Sequence, residues 1–145
     1  MIEQFQDEYR WLSNFWYLEK PMEYQGMSFA TNEHFYIAMK TEDTSIRKQV
    51  SEHPLKGLKR FGNTFPLRGD WELIKFDVME FGLNYKFSES NPKLRQQLID
   101  TGNEHIQEGN LWGDKIWGIC LKTGEGDNKL GELLMKIRSG ILEET

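Results

Sequence analysis

Thr31-Asn32-Glu33-His34-Phe35-Tyr36-Ile37-Ala38-Met39-Lys40 reads as the start of an apolar helix that Thr31 or Asn32 caps and that runs to about Val50. Seven residues separate Glu33 from Lys40, a spacing that returns a side chain to nearly the same helical face. With Phe35, Ile37, Ala38 and Met39 around them, both charges are predicted to lie against the core. Two explanations fit. Glu33 near a helix start favours the positive end of the dipole while Lys40 stretches its stem to water, or the pair belongs to a chemical site. His34 points about 100° away around the helix and reads as packing or orienting a neighbour.

Upstream, Phe15-Trp16-Tyr17-Leu18-Glu19 and Met27-Ser28-Phe29, joined through Pro21 and Gly26, suggest short strands or an extended hairpin. Downstream, Pro54 is predicted to open a shorter helix that Gly62 ends. Asp70 is a good N-cap for a helix from Trp71 to about Phe87, with Glu72 in its first turn. Along it Glu72, Lys75, Met79, Leu83 and Lys86 share one stripe, so ionisable groups again sit among apolar neighbours. Asn91-Pro92 starts the next helix and Thr101-Gly102 stops it. Residues 104–108 and 115–121 read as strands around a turn at residues 109–114. A last helix starts near Asp127-Asn128, with Leu130, Leu133, Leu134 and Ile137 facing inward.

The 145 residues, 38% hydrophobic and 28% charged, describe one soluble domain spanning 1–145, large enough for a genuine core. Five Trp, five Tyr and nine Phe exceed what a minimal scaffold needs, and surplus flat side chains are common where rings are bound. The lone Cys120, within Ile116-Trp117-Gly118-Ile119-Cys120-Leu121, reads as core. The first residues lack a basic region followed by an apolar run, and no stretch reaches the roughly 18 apolar residues of a membrane span. A cytoplasmic protein with no membrane partner is expected. The net charge of −5 disfavours a broad phosphate-tracking surface, although Lys56, Lys59, Arg60 and Arg68 lie close enough in sequence to hold one or two phosphates. Their alternative is a solvated helix face. His34, His53 and His105 lack ligand spacing, so no metal is expected. Gly124, Gly126 and Gly131 do not form the dinucleotide pattern, and no cofactor is expected.

Several blocks in order carry a more specific signal. They are Leu12-Ser13-Asn14-Phe15, Glu33-His34 with Lys40, Leu67-Arg68-Gly69-Asp70-Trp71-Glu72, Met79, Lys86-Phe87, Thr101-Gly102, Glu108, Trp112-Gly113-Asp114 through Trp117-Gly118, and Gly126-Asp127-Asn128-Lys129-Leu130-Gly131 with Leu134-Met135 and Arg138. Through these the chain resembles the NADAR family, also called YbiA-like, over almost its whole length. The resemblance implies an α+β fold, mainly helical around a small β-sheet, and hydrolysis of N-glycosidic bonds in phosphorylated ribosides. Two substrate classes follow from it: ribosylamino-pyrimidine intermediates of riboflavin biosynthesis, and ADP-ribose attached to a base, notably guanine in nucleic acid.

Cleaving a ribosyl C–N bond builds positive charge on the sugar and negative charge on the departing base. A carboxylate near the anomeric carbon stabilises that cation or orients the attacking water. Glu33 is the first candidate. Asp114, in a turn beside Trp112 and Trp117 with Glu108 and Glu72 behind it, is the second. Lys40 or Lys86 can donate a proton to the base or bind phosphate instead, and an imine between lysine and the opened sugar is a further route. Trp71, Trp117 and Phe15 can stack on the base or simply pack. Ser13 and Asn14 can meet ribose or phosphate oxygens or form a turn. Asn128 either caps the last helix or marks a helix start that holds phosphate. The rival function is a module that binds ADP-ribose or a related nucleotide without turnover, and a purely structural protein is a third reading.

Overall fold

A computed structural model describes residues 1–144 of the chain. They form two compact units, one of residues 14–91 and one that joins residues 1–13 to the stretch from Pro92 onward. The α+β class is as expected: helices dominate and the strands are few and short.

The unit of residues 14–91 begins with a hairpin of β1 (Tyr17–Tyr24) and β2 (Met27–Thr31). Gln25 and Gly26 both adopt left-handed backbone, at φ 51° and 80°, the turn whose twist suits a two-residue hairpin. The antiparallel register pairs Tyr24 with Met27 and Met22 with Phe29, then slips between Met22 and Tyr17. Pro21 sits within that slip and cannot donate to a ladder. Leu18, Met22 and Phe29 point inward and are buried.

Helix α1 covers Asn32–Ala38 only, so the expected continuous helix to Val50 is two helices. The chain turns at Met39 and Lys40, and α2 starts afresh at Thr44–Glu52. Asp43 accounts for the restart, because its Oδ1 accepts the N–H groups of Ser45 and Ile46 at 2.9 and 3.1 Å. Arg47 reinforces it by donating from Nε to the Thr41 carbonyl at 2.8 Å. The short α3 (Leu58–Phe61) follows Gly57 at φ 79°, so Pro54 precedes that helix instead of opening it. Helix α4 spans Trp71–Lys86, as the sequence predicts. Asp70 stands at its N-cap without capping through its side chain, because Arg68 holds the carboxylate. Phe35 stacks on Phe81 and meets Tyr24 and Phe29 edge-on, with ring centroids 5.4–5.9 Å apart. Full burial, as at Phe29 and Phe35, contributes about 1.5–3 kcal/mol per side chain.

The second unit holds a 3₁₀ helix at Asp7–Leu12, α5 (Pro92–Asp100), β3 (Gly109–Asn110), β4 (Ile119–Cys120) and α6 (Lys129–Glu143). The strands expected over 104–108 and 115–121 shrink to a two-residue parallel pair, with one isolated bridge between Ile2 and Ile106. Side chains, not a ladder, organise this region, as described below. Leu94, Leu98, Ile106, Leu130, Leu134 and Ile137 are buried, and Leu133 is only half-buried. Arg138 of α6 donates to the Thr101 hydroxyl at 2.9 Å, beyond the end of α5. Cys120 is buried in β4. Among the described residues no helix is long and apolar enough to cross a membrane.

Candidate functional site

In the unit of residues 14–91, every residue of α1 is buried, Glu33 among them at 9% exposure. Its neighbours Asn32 and His34 have structural duties. The Thr31 hydroxyl accepts the His34 N–H at 3.1 Å and lies 2.7 Å from His34 Nδ1. His34 Nε2 faces the His53 carbonyl at 2.8 Å, and since a carbonyl only accepts, Nε2 carries the proton and Nδ1 accepts from Thr31. His34 therefore ties α1 to the end of α2, and burial keeps its pKa low.

No such partner holds the Glu33 carboxylate: among the described residues its interactions are coulombic, with Lys40 and Lys59. Burial raises its pKa despite both cations. Burial likewise lowers the pKa of Lys40, against the pull of Glu33 and with Lys59 acting in the same direction as burial. For both members of the pair, desolvation outweighs attraction, and each is drawn toward its neutral form. Lys40 Nζ also lies 5.6 Å from the centre of the Tyr36 ring, and Tyr36 meets Trp71 edge-on at 5.0 Å. The seven-residue spacing thus groups Glu33 and Lys40 electrostatically even though the helix ends before Lys40.

Arg68 borders this group and is already engaged. It donates from Nε to Asp70 Oδ1 at 2.7 Å, and its Nη2 lies 3.1 Å from Glu42 Oε1. Its Nη1 reaches the Met39 carbonyl at 3.4 Å and its backbone N–H the Lys40 carbonyl at 2.8 Å. Lys56, Lys59 and Arg60 are exposed. Trp71 is buried and Phe15 is 41% exposed.

Behind Glu33 lies an amide cluster. The Glu33 N–H donates to the Asn14 carbonyl at 3.0 Å. Asn32 Nδ2 donates to Asn14 Oδ1 at 2.9 Å and approaches Met79 Sδ at 3.4 Å, which Asn14 Nδ2 also approaches at 3.5 Å. Asn32 Oδ1 is buried with no hydrogen-bond partner among the described residues. It occupies the space over Gly82, where a Cβ would stand 1.8 Å from it. The same helix ends with Lys86, wholly buried, whose pKa desolvation lowers to about 7; its Nζ lies 5.3 Å from the centre of the Phe87 ring.

In the other unit, Asp114 accepts the N–H groups of Ile116 and Trp117 on Oδ1 at 3.0 and 2.9 Å, closing the turn. Asn110 anchors the turn from inside: its Oδ1 accepts from Gly113 and Asp114, and its Nδ2 donates to the Asp114 carbonyl and to Glu108 Oε2. Asn128 sits in left-handed backbone at φ 52° and does not cap α6 through its side chain. Its amide instead donates to the Ile106 carbonyl and accepts the Glu108 N–H, both at 2.9 Å. Trp117 and Ser13 are half-buried. Among the described residues no three His, Cys, Asp or Glu side chains cluster as metal ligands would.

Sequence reasoning brought Glu33, Lys40 and Trp71 to one neighbourhood. It overlooked Asn32, which it read as an alternative cap, and the part of Gly82, a mid-helix glycine whose cost in propensity signals a packing reason. It also treated Lys59 only as one of a basic group.

Comparison with known proteins gives this arrangement its class. The NADAR domain model matches residues 2–142. The N-glycosidase YbiA of Shigella flexneri is 32% identical over 145 residues, covering 95% of this chain and 85% of the relative. The NMR structure of YbiA from Escherichia coli superposes with a TM-score of 0.81 at 31% identity, covering 99% of this chain and 88% of that one. A Vibrio vulnificus protein named as the riboflavin biosynthesis protein VVA0006 is 31% identical over 126 residues, which are 81% of this chain and 32% of the longer relative. The chain belongs to the NADAR family.

Proposed function

We propose that the chain is an N-glycosidase that hydrolyses the C–N bond of a phosphorylated ribosyl compound, a ribosylamino-pyrimidine intermediate of the riboflavin route being the first substrate to test. The class is that of its YbiA relatives, and the name of the Vibrio relative favours that substrate. The observation that carries the mechanism is the buried Glu33 carboxylate, held without a hydrogen-bond donor among the described residues and facing the charges of Lys40 and Lys59.

In this reading the bond between the anomeric carbon and nitrogen breaks with its electron pair leaving on nitrogen. Lys40, which burial makes a readier acid than a solvated lysine, donates the proton that the departing base takes up. Ionised Glu33 faces the cationic sugar and orients the water, whose oxygen bonds to the anomeric carbon and whose proton passes to the carboxylate. Lys59, exposed and cationic, suits the phosphate. Arg68, whose donors are spent on Asp70 and Glu42, is assigned to holding the turn. Asp114, Trp71, Phe15 and Lys86 remain candidates for contact with substrate, as do Ser13, Trp117 and Asn128.

Incubation of the purified chain with ribosylamino-pyrimidine phosphates and, separately, with ADP-ribosylated guanosine, followed by mass spectrometry of released base and sugar, tests the proposal. Cleavage of the first that Glu33→Gln abolishes supports it. Cleavage only of the second replaces the substrate with an ADP-ribosylated base, and tight calorimetric binding of ADP-ribose with no cleavage of anything would replace the enzyme with a binding module.

A further inference from the structure

We propose that Asn14 and Asn32 are positioning residues for Glu33, their side-chain amides and Met79 forming a knot that fixes where the carboxylate points. This rests on the assignment of Glu33 to the chemistry above. It moves Asn14 from ribose or phosphate contact to a supporting role.

The knot reaches Glu33 by two routes. The Asn14 carbonyl accepts the Glu33 N–H at 3.0 Å, and the adjacent Asn32 donates to the Asn14 side chain at 2.9 Å. Both amides converge on Met79 of α4, so β1's approach, the first turn of α1 and the middle of α4 are clamped at one point. Asn32 is 1% exposed and leaves its Oδ1 without a partner among the described residues. An orphaned buried carbonyl costs about 1–3 kcal/mol, and the fold carries that cost at this position. The arrangement serves geometry. Gly82 leaves the space that Oδ1 fills, and a longer side chain there would push the amide, and with it the first turn of α1, off α4. A carboxylate with no hydrogen bond of its own depends on its backbone for placement, and small misplacements of a reacting group are costly.

The test uses Asn32→Ala and Gly82→Ala in the full chain, with Asn14→Ser as a third variant in case either fails to fold. Carbon-13 NMR of labelled glutamate follows the Glu33 carboxyl through a pH titration, which needs no substrate. In each folded variant the elevated midpoint of the wild type is expected to fall toward the ordinary glutamate value as the carboxylate swings to water. With a cleavable riboside, kcat is expected to drop about tenfold or more with KM within about threefold. An unchanged Glu33 midpoint in folded variants overturns the proposal, whatever their melting temperatures. Should no riboside be cleaved by the wild type while the midpoint still falls in the variants, the catalytic reading fails and the knot stands.

Discussion

The backbone N–H of Arg68 donates to the carbonyl of Lys40 at 2.8 Å, so the turn that ends α1 is bonded to the turn that opens α4. The Arg68 guanidinium secures the same junction through Met39, Asp70 and Glu42. Positive charge that looks free for phosphate in the sequence is neutralised twice over in the fold.

Arg68→Ala is therefore expected to lower the melting temperature and to leave KM within about twofold of wild type. Asp70→Ala should lower it in the same direction, and the double variant should lose less than the sum, as residues of one network do. Thermal melts of the four proteins measure the coupling. A KM rise of tenfold or more in Arg68→Ala would restore the phosphate role.

Glu33→Gln is expected to reduce turnover by about 10²–10⁴-fold while raising stability at neutral pH. Because burial raises the Glu33 carboxyl above 4.5, the folded chain keeps a proton there that the unfolded chain has released. Stability is full below that window and falls as pH rises through it. Melting temperatures of wild type and variant should thus converge near pH 4 and separate above it, wild type lower.

Lys86→Met should flatten the pH dependence of stability between about 7 and 10.5, since it removes a group whose proton affinity burial has lowered. Across that window the unfolded chain holds a proton that folded Lys86 does not, so wild-type stability climbs with pH while that of the variant does not. Urea unfolding at pH 7 and 10 checks both statements.

Asp114→Asn preserves an oxygen that can accept from Ile116 and Trp117, so its melting temperature should match wild type, whereas Asp114→Ala should lose about 1 kcal/mol. Turnover of the folded Asn variant isolates the charge from the turn. A drop of about tenfold or more is expected from its candidacy as second carboxylate, and wild-type turnover would confine Asp114 to the turn.

Where local signals coincide with tertiary need, the chain is readable from its residues. Pro21, Gly26 and flanking aromatics foretell the hairpin, and the apolar periods of α4 and α6 hold at Met79, Leu83, Leu130, Leu134 and Ile137. The break after Ala38 was hidden, because Thr41, Asp43 and Arg47 act together across a gap that hydrophobic spacing bridges. The region from 104 to 121 misled for the opposite reason: alternation suggests strands, while Asn110, Asp114 and Asn128 hold the backbone with their side chains. Glu33 and Lys40 were visible through spacing alone. For Arg68, Asp70 is two residues away and visible in the sequence, whereas Glu42 reaches it only through the fold.

Gly82 carries a practical consequence for anyone engineering a sturdier variant. Replacing helical glycines with alanine is a routine route to thermostability, worth about 0.4–1 kcal/mol where the backbone permits. Here the added methyl would collide with the carbonyl of Asn32, and a screen that ranks substitutions by helix preference alone would recommend the one exchange on α4 that dismantles its keyhole.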